Sequence, residues 1–194
     1  MQRKLLILSC LCCTLFFFIP GNRPAAARTA GSGDTTVVNY KAPGAPMPHI
    51  RLVAPHPAEA SSGKKQDKAG GSRIVTDKEL DNNANLLVMM FNPTCGHCEE
   101  QTELFTKSVF LFKKSRLVLM AGPMMLPYLE QFNSDHHISS YPATMVMGVD
   151  SSGFIEKTFL YETLPQINIY DHGRKLVRSF TGLVAMDSLK AYIE

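Results

Sequence analysis

Six consecutive apolar residues, Leu86 to Phe91, run directly into Asn92-Pro93-Thr94-Cys95-Gly96-His97-Cys98, and no other stretch of the 194-residue chain restricts the fold so tightly. A half-exposed strand alternates apolar with polar residues, so an unbroken run of this length suits a strand buried on both faces. From Cys98 to about Lys114 the pattern turns helical. Leu104, Phe105, Val109, Leu111 and Phe112 recur at helical spacing, with Glu99, Glu100 and Glu103 early and Lys113 and Lys114 late, the order that suits a helix dipole. Pro93 cannot extend the strand and suits the turn into that helix.

The rest of the chain alternates in the same way. Arg116 to Ala121 reads as a strand, Pro123 to Phe132 as a helix opened by proline, and Thr144 to Val149 as an apolar segment of undecided type. Gln166 to Tyr170 and Lys175 to Phe180 read as two strands joined by the turn signal Asp171-His172-Gly173. A closing helix from about Leu183 to Ile193 would bury Leu183, Met186, Leu189 and Ile193. Near the front, Ile50 to Val53 can pair with Arg73 to Val75 as a short hairpin. The expected fold class is a mixed α/β sandwich, and no internal repeat is present.

The amino-terminal residues carry an address. A basic start, an apolar run from Leu5 to Ile19 and the small residues Ala25-Ala26-Ala27 have the layout of a secretory signal peptide over 1–27. The alternatives are a retained membrane anchor, although the run is short against the roughly 20 residues that span a bilayer, and a lipoprotein at Cys10, which only about five apolar residues precede. Each reading places the globular part in the periplasm or another extracytoplasmic space. Residues 28–45, rich in Gly, Ala, Thr and Pro, read as a flexible tether, His56 to Ser72 as a polar loop, and 46–194 as one domain.

Charge and cysteine usage remove other classes. The formal net charge is +3, supplied by Arg3, Lys4 and Arg23, and no basic run exceeds a pair. Nucleic-acid binding, whose affinity comes largely from phosphate neutralisation, is excluded. Cys10, Cys12 and Cys13 lie in the amino-terminal apolar run, which leaves Cys95 and Cys98 alone in the rest and excludes a multi-disulfide scaffold.

Cys95-Gly96-His97-Cys98 carries a mechanism. At a strand-to-helix junction the first sulfur meets unpaired backbone N–H groups, whose partial positive charge favours thiolate. Cys95 is then the exposed nucleophile, and Cys98, one turn further in, can attack the mixed disulfide. The alternative, half of a zinc site, lacks a second CxxC or a matching His pair. His136-His137 are adjacent and read as a solvated helix end. No metal and no cofactor are expected.

These residues also carry a resemblance. LLVMMFNPTCGHCEE resembles the strand, active-site turn and helix of the thioredoxin superfamily, and TLPQINIYDHGRKLVRSFTG resembles its cis-proline and terminal hairpin. Ala45 to Leu52 resembles the opening of the extracytoplasmic TlpA-like branch, which adds a short hairpin before the core. The resemblance, over about Ala45 to Glu194, implies a thioredoxin-like three-layer sandwich with a mixed central sheet and helices on both faces. It implies Cys95 as attacking cysteine, Cys98 as resolving cysteine and Pro165 as a cis-proline facing the disulfide. Two positions depart from the pattern: Thr94 stands where the family has tryptophan, and Met89 where many members keep an acid that helps deprotonate the resolving sulfur. Glu162 is a weak substitute for that acid. His97 can stabilise the Cys95 thiolate when protonated, against Glu99 and Glu100, or serve as a solvent-exposed spacer.

The expected function is extracytoplasmic thiol-disulfide exchange with protein substrates. The TlpA-like resemblance implies the reducing direction, with electrons from a membrane donor and substrates such as apocytochromes or misoxidised proteins; a retained amino-terminal segment would add membrane tethering. CGHC, the string found in protein disulfide isomerases, leaves a disulfide donor or isomerase as the alternative. Copper handling through Cys95, Cys98 and a distant histidine is a third reading, weakened by the spacing. A peroxidase is weaker still, with Asn92 in place of the peroxiredoxin threonine.

Overall fold

The computed structural model describes residues 37–55, 72–159 and 163–193. The expected signal peptide, the first part of the tether, nearly all of the His56 to Ser72 loop and Glu162 lie outside the described residues. Seven strands form one sheet: β1 (Arg51–Ala54), β2 (Arg73–Thr76), β3 (Leu86–Phe91), β4 (Arg116–Ala121), β5 (Met145–Asp150), β6 (Gln166–Tyr170) and β7 (Leu176–Thr181). Their order is β2-β1-β5-β4-β3-β6-β7. The pairs β3–β4 and β4–β5 are parallel, and every other pairing is antiparallel. The helices are α1 (Asp77–Leu80), α2 (Gly96–Lys107), α3 (Leu126–His136), α4 (Phe154–Thr158) and α5 (Met186–Leu189).

All six residues of β3 are buried, as the unbroken apolar run requires. Strand alternation divides them between two cores. Leu87, Met89 and Phe91 pack with Phe105, Leu129, Phe132 and Leu189 from α2, α3 and α5. Leu86, Val88 and Met90 pack on the opposite face with Leu80, Phe154 and Ile155 from α1 and α4. The result is the expected three-layer α/β sandwich with a mixed sheet. Each such side chain stabilises the fold by about 1.5–3 kcal/mol when removed from water, so the two faces share the task of holding the central strands.

The segment of undecided type is strand β5, and Gly148 within it is required by the packing of its neighbour. A Cβ there would stand 2.8 Å from the Val53 carbonyl oxygen, so the missing side chain lets β1 close against β5. The front hairpin pairs Arg51–Ala54 with Arg73–Thr76, as expected to within a residue. The tail hairpin turns over Asp171 to Lys175: the Asp171 carboxylate accepts the Lys175 N–H at 2.8 Å. Arg174, not Gly173, takes the left-handed conformation there, at φ 56°. Its guanidinium donates to the carbonyls of Ala84 and Leu80, which holds the turn against the chain before β3.

Helix bounds differ more from expectation. The first long helix stops at Lys107, because Ser108 leaves helical geometry and its N–H closes onto the Leu104 and Phe105 carbonyls. A 3-10 turn, Val109–Leu111, then carries Phe112 back onto Phe105 with ring centroids 5.9 Å apart, so Lys113 and Lys114 are not helical. The proline-opened helix is two pieces, a 3-10 turn Pro123–Met125 and then α3, which runs past Phe132 to His136. The closing helix starts only at Met186 and ends in a 3-10 turn, Lys190–Tyr192. Leu183 therefore lies outside it and is exposed, while its neighbour Val184 enters the core. Helices α1 and α4 were not anticipated.

Candidate active site

Strand register gathers four separate segments at one edge of the sheet. Phe91 pairs with Ala121, Met90 with Gln166, and Gln166 with Thr181. The next residues outward are thus Asn92 to Cys95, Gly122 onward, Leu164-Pro165 and Gly182 onward. This is the carboxyl edge of the parallel strands, where open α/β sheets place their sites.

Asn92 builds the turn that presents the cysteines. Its carbonyl accepts the Cys95 N–H at 3.1 Å, and its side-chain Oδ1 accepts both the N–H and the hydroxyl of Thr94 at 2.9 Å. Thr94 thus serves to lock the turn. Pro93 is buried beneath it. Cys95 is the N-cap of α2 and is half-buried, with no side-chain oxygen capping the helix. Its sulfur stands at the position from which serine or aspartate would accept first-turn N–H groups. Its carbonyl accepts the N–H of Cys98 at 2.9 Å and of Glu99 at 3.1 Å.

Cys98 faces inward and is completely buried. Its thiol pKa is pushed up to about 12, chiefly by burial, with the hydrogen bond to Cys95 and the Glu99 charge acting in the same direction and a backbone hydrogen bond from Asn92 opposing them. The two thiols are free and in contact. Met89 is fully buried in the same core cluster as Cys98, so β3 offers that sulfur an apolar neighbourhood.

Pro165 is buried, follows a cis peptide bond from Leu164, and its carbonyl accepts the Gly182 N–H at 2.8 Å. Gly182 reaches this position at φ 75°, a conformation glycine adopts without steric cost. His97 is exposed in the first turn of α2. The fold therefore brings Cys95 and Cys98 together, sets Pro165 at the same edge, and leaves His97 in solvent.

Gln101 is the residue that sequence reasoning missed. It is fully buried on the Cys98 side of α2, where its Oε1 accepts the Val184 N–H at 2.7 Å. Thr102, beside it, donates its hydroxyl to the Cys98 carbonyl at 2.8 Å. The available signal was spacing, since Cys98, Gln101, Thr102 and Phe105 follow the i, i+3, i+4, i+7 stripe of one helix face. Among the described residues no group of three or more His, Cys, Asp or Glu side chains is placed to hold a metal ion. Nor is any described helix long and apolar enough to cross a membrane.

No protein-family model and no curated protein matches the chain. Solved structures do. A provisionally named thiol:disulfide interchange protein, DsbE, from Chlorobium tepidum aligns with a TM-score of 0.54 at 13% identity, over 78% of this chain and 94% of its own. A provisionally assigned protein disulfide isomerase from Bacteroides thetaiotaomicron aligns with a TM-score of 0.58 at 15% identity, over 79% and 89%. The thioredoxin domain of a thiol-disulfide oxidoreductase from Bacteroides vulgatus gives 0.51 at 16%, over 77% and 94%. Likeness at this level of identity speaks to architecture, and with the sheet order and the two helical layers it leads to one conclusion: the chain has a thioredoxin-like fold.

Proposed function

We propose that the protein is an extracytoplasmic thiol-disulfide oxidoreductase that reduces disulfides in protein substrates. The observation that carries this reading is the cysteine pair itself, one sulfur half-buried at a helix N-cap and the other fully buried one turn inward. The Cys95 thiolate attacks a substrate disulfide, forming a mixed disulfide and expelling one substrate thiolate, which takes a proton. Cys98, once deprotonated, attacks the Cys95 sulfur, breaks the mixed disulfide and releases the second substrate thiol. Two electrons have then passed to the substrate, the protein holds a Cys95–Cys98 disulfide, and a dithiol donor at the membrane restores it. Pro165, at the same edge, flanks the path of the incoming chain, and exposed His97 borders the reacting pair. The signal layout over 1–27 supports the extracytoplasmic location.

The neighbours named as an interchange protein, an isomerase and an oxidoreductase share this exchange chemistry. The reducing direction rests on the resemblance of Ala45 to Leu52 to the opening of the TlpA-like branch. A donor or isomerase is the second reading, favoured by His97 standing exposed within the CGHC string.

Trapping tests the first claim. Cys98→Ala accumulates mixed disulfides through Cys95 in an extract of the native compartment, and their absence contradicts the exchange reading. Direction is decided in a glutathione buffer series: a two-electron transition near about −270 mV supports a reductase, and one near about −180 mV the isomerase reading.

A further inference from the structure

We propose that Gln101 is a positioning residue, which holds the Pro165 segment in place against the cysteine pair; the inference rests on the exchange function proposed above. Residues 182–184 form a short bridge bonded on both sides. On one side the Gly182 N–H donates to the Pro165 carbonyl at 2.8 Å. On the other the buried Val184 N–H donates to Gln101 Oε1 at 2.7 Å, and Gln101 sits on the same buried face of α2 as Cys98. Two hydrogen bonds through three residues therefore tie the helix that carries the cysteines to the segment that carries Pro165.

Packing alone does not account for a glutamine at this position. Its Nε2 is buried without a hydrogen-bond partner among the described residues, and an unsatisfied buried donor opposes folding. An apolar side chain would avoid that cost, yet it would leave the Val184 N–H without its acceptor and the bridge without its hold on α2. The exposed Leu183, between the two bonded residues, keeps the bridge at the surface of the site. A substrate chain that brings its disulfide to Cys95 lies beside this bridge and Pro165.

The test compares the full chain with Gln101→Met, which keeps the length and loses the acceptor, and Gln101→Glu, which keeps an acceptor. The substrate is a cysteine peptide in mixed disulfide with glutathione, with dithiothreitol as donor; hydroxyethyl disulfide serves as the small substrate. Removing the bond raises the peptide KM about tenfold in Gln101→Met, with a smaller fall in kcat, and Gln101→Glu restores the KM. A lower melting temperature in Gln101→Met with the peptide KM unchanged overturns the inference, because a merely structural role does only that. If Gln101→Met does not fold, Val184→Pro, which deletes the donor and leaves Gln101 in place, decides by the same comparison. No turnover of either disulfide by the unmodified protein removes the exchange reading and this inference with it. Turnover with an unaltered peptide KM in the variants removes the inference alone.

Discussion

The two cysteines differ by burial, and their reactivities should differ accordingly. Iodoacetamide at neutral pH alkylates Cys95 and spares Cys98 until the chain is unfolded, because the inner thiol has neither access nor an accessible thiolate. Peptide mass mapping that finds both residues modified in the folded protein contradicts this. The same burial gives the reduced protein an alkaline weakness. An ordinary thiol here ionises near 9.0, whereas folded Cys98 keeps its proton to about 12. Above pH 9 the unfolded chain therefore binds fewer protons than the folded one, and stability falls as pH rises through that window. Tyr170, whose hydroxyl pKa burial also raises, adds to the slope. The urea midpoint of the reduced protein should drop between pH 9 and 11 and drop less in Cys98→Ala; equal slopes would remove Cys98 burial as a cause. Cys95 and Cys98 were legible as a pair because their spacing is local. Gln101 was not, because a polar residue on a buried helix face is defined by what arrives from the far end of the chain.

At the scale of elements, β1 depends on a glycine of its neighbour. Gly148→Ala drives a methyl toward the Val53 carbonyl and should destabilise the fold by about 1–3 kcal/mol in urea denaturation. A midpoint equal to that of the unmodified protein would mean that β1 shifts freely. Helix α4 hangs on Asp150, whose buried carboxylate accepts the Ser152 N–H and hydroxyl at 2.8 Å and the Ile155 N–H at 2.9 Å. Asp150→Ala orphans those donors and should cost about 1–3 kcal/mol by the same measurement. Strands β3 and β4 are readable to the residue because burial on both faces leaves a nearly unbroken apolar run, whereas β6, with Gln166 and Asn168 in it, is marked by the turn signal that follows. Helix α1 announces itself by a capping box, in which Glu79 accepts the Thr76 N–H at 2.9 Å, but at four residues it has no periodicity to find. Helix α4 is similarly short and takes its support from a strand end rather than from its own sequence.

Across the whole molecule, stability is graded from the middle of the sheet outward. β3 and β4 are buried almost throughout and have partners on both sides, whereas β7 is an edge strand with most of its residues exposed. Amide hydrogen exchange should be slowest in β3 and β4 and markedly faster in β2 and β7; uniform protection would point to a single opening unit. Topology could not be read from a single sequence, since nothing local says that β1 lies beside β5 or that β6 crosses to β3. The sheet order is nonetheless what draws four distant segments to one edge. That convergence gives the site a history as well as a geometry. Cys95 and Cys98 leave the ribosome before Gly182 and Val184 by an interval on the order of several seconds. Until the last hairpin docks, the nascent chain carries its cysteine pair without the segment that completes this edge of the sheet, so the yield of correctly assembled molecules is a matter of timing during synthesis.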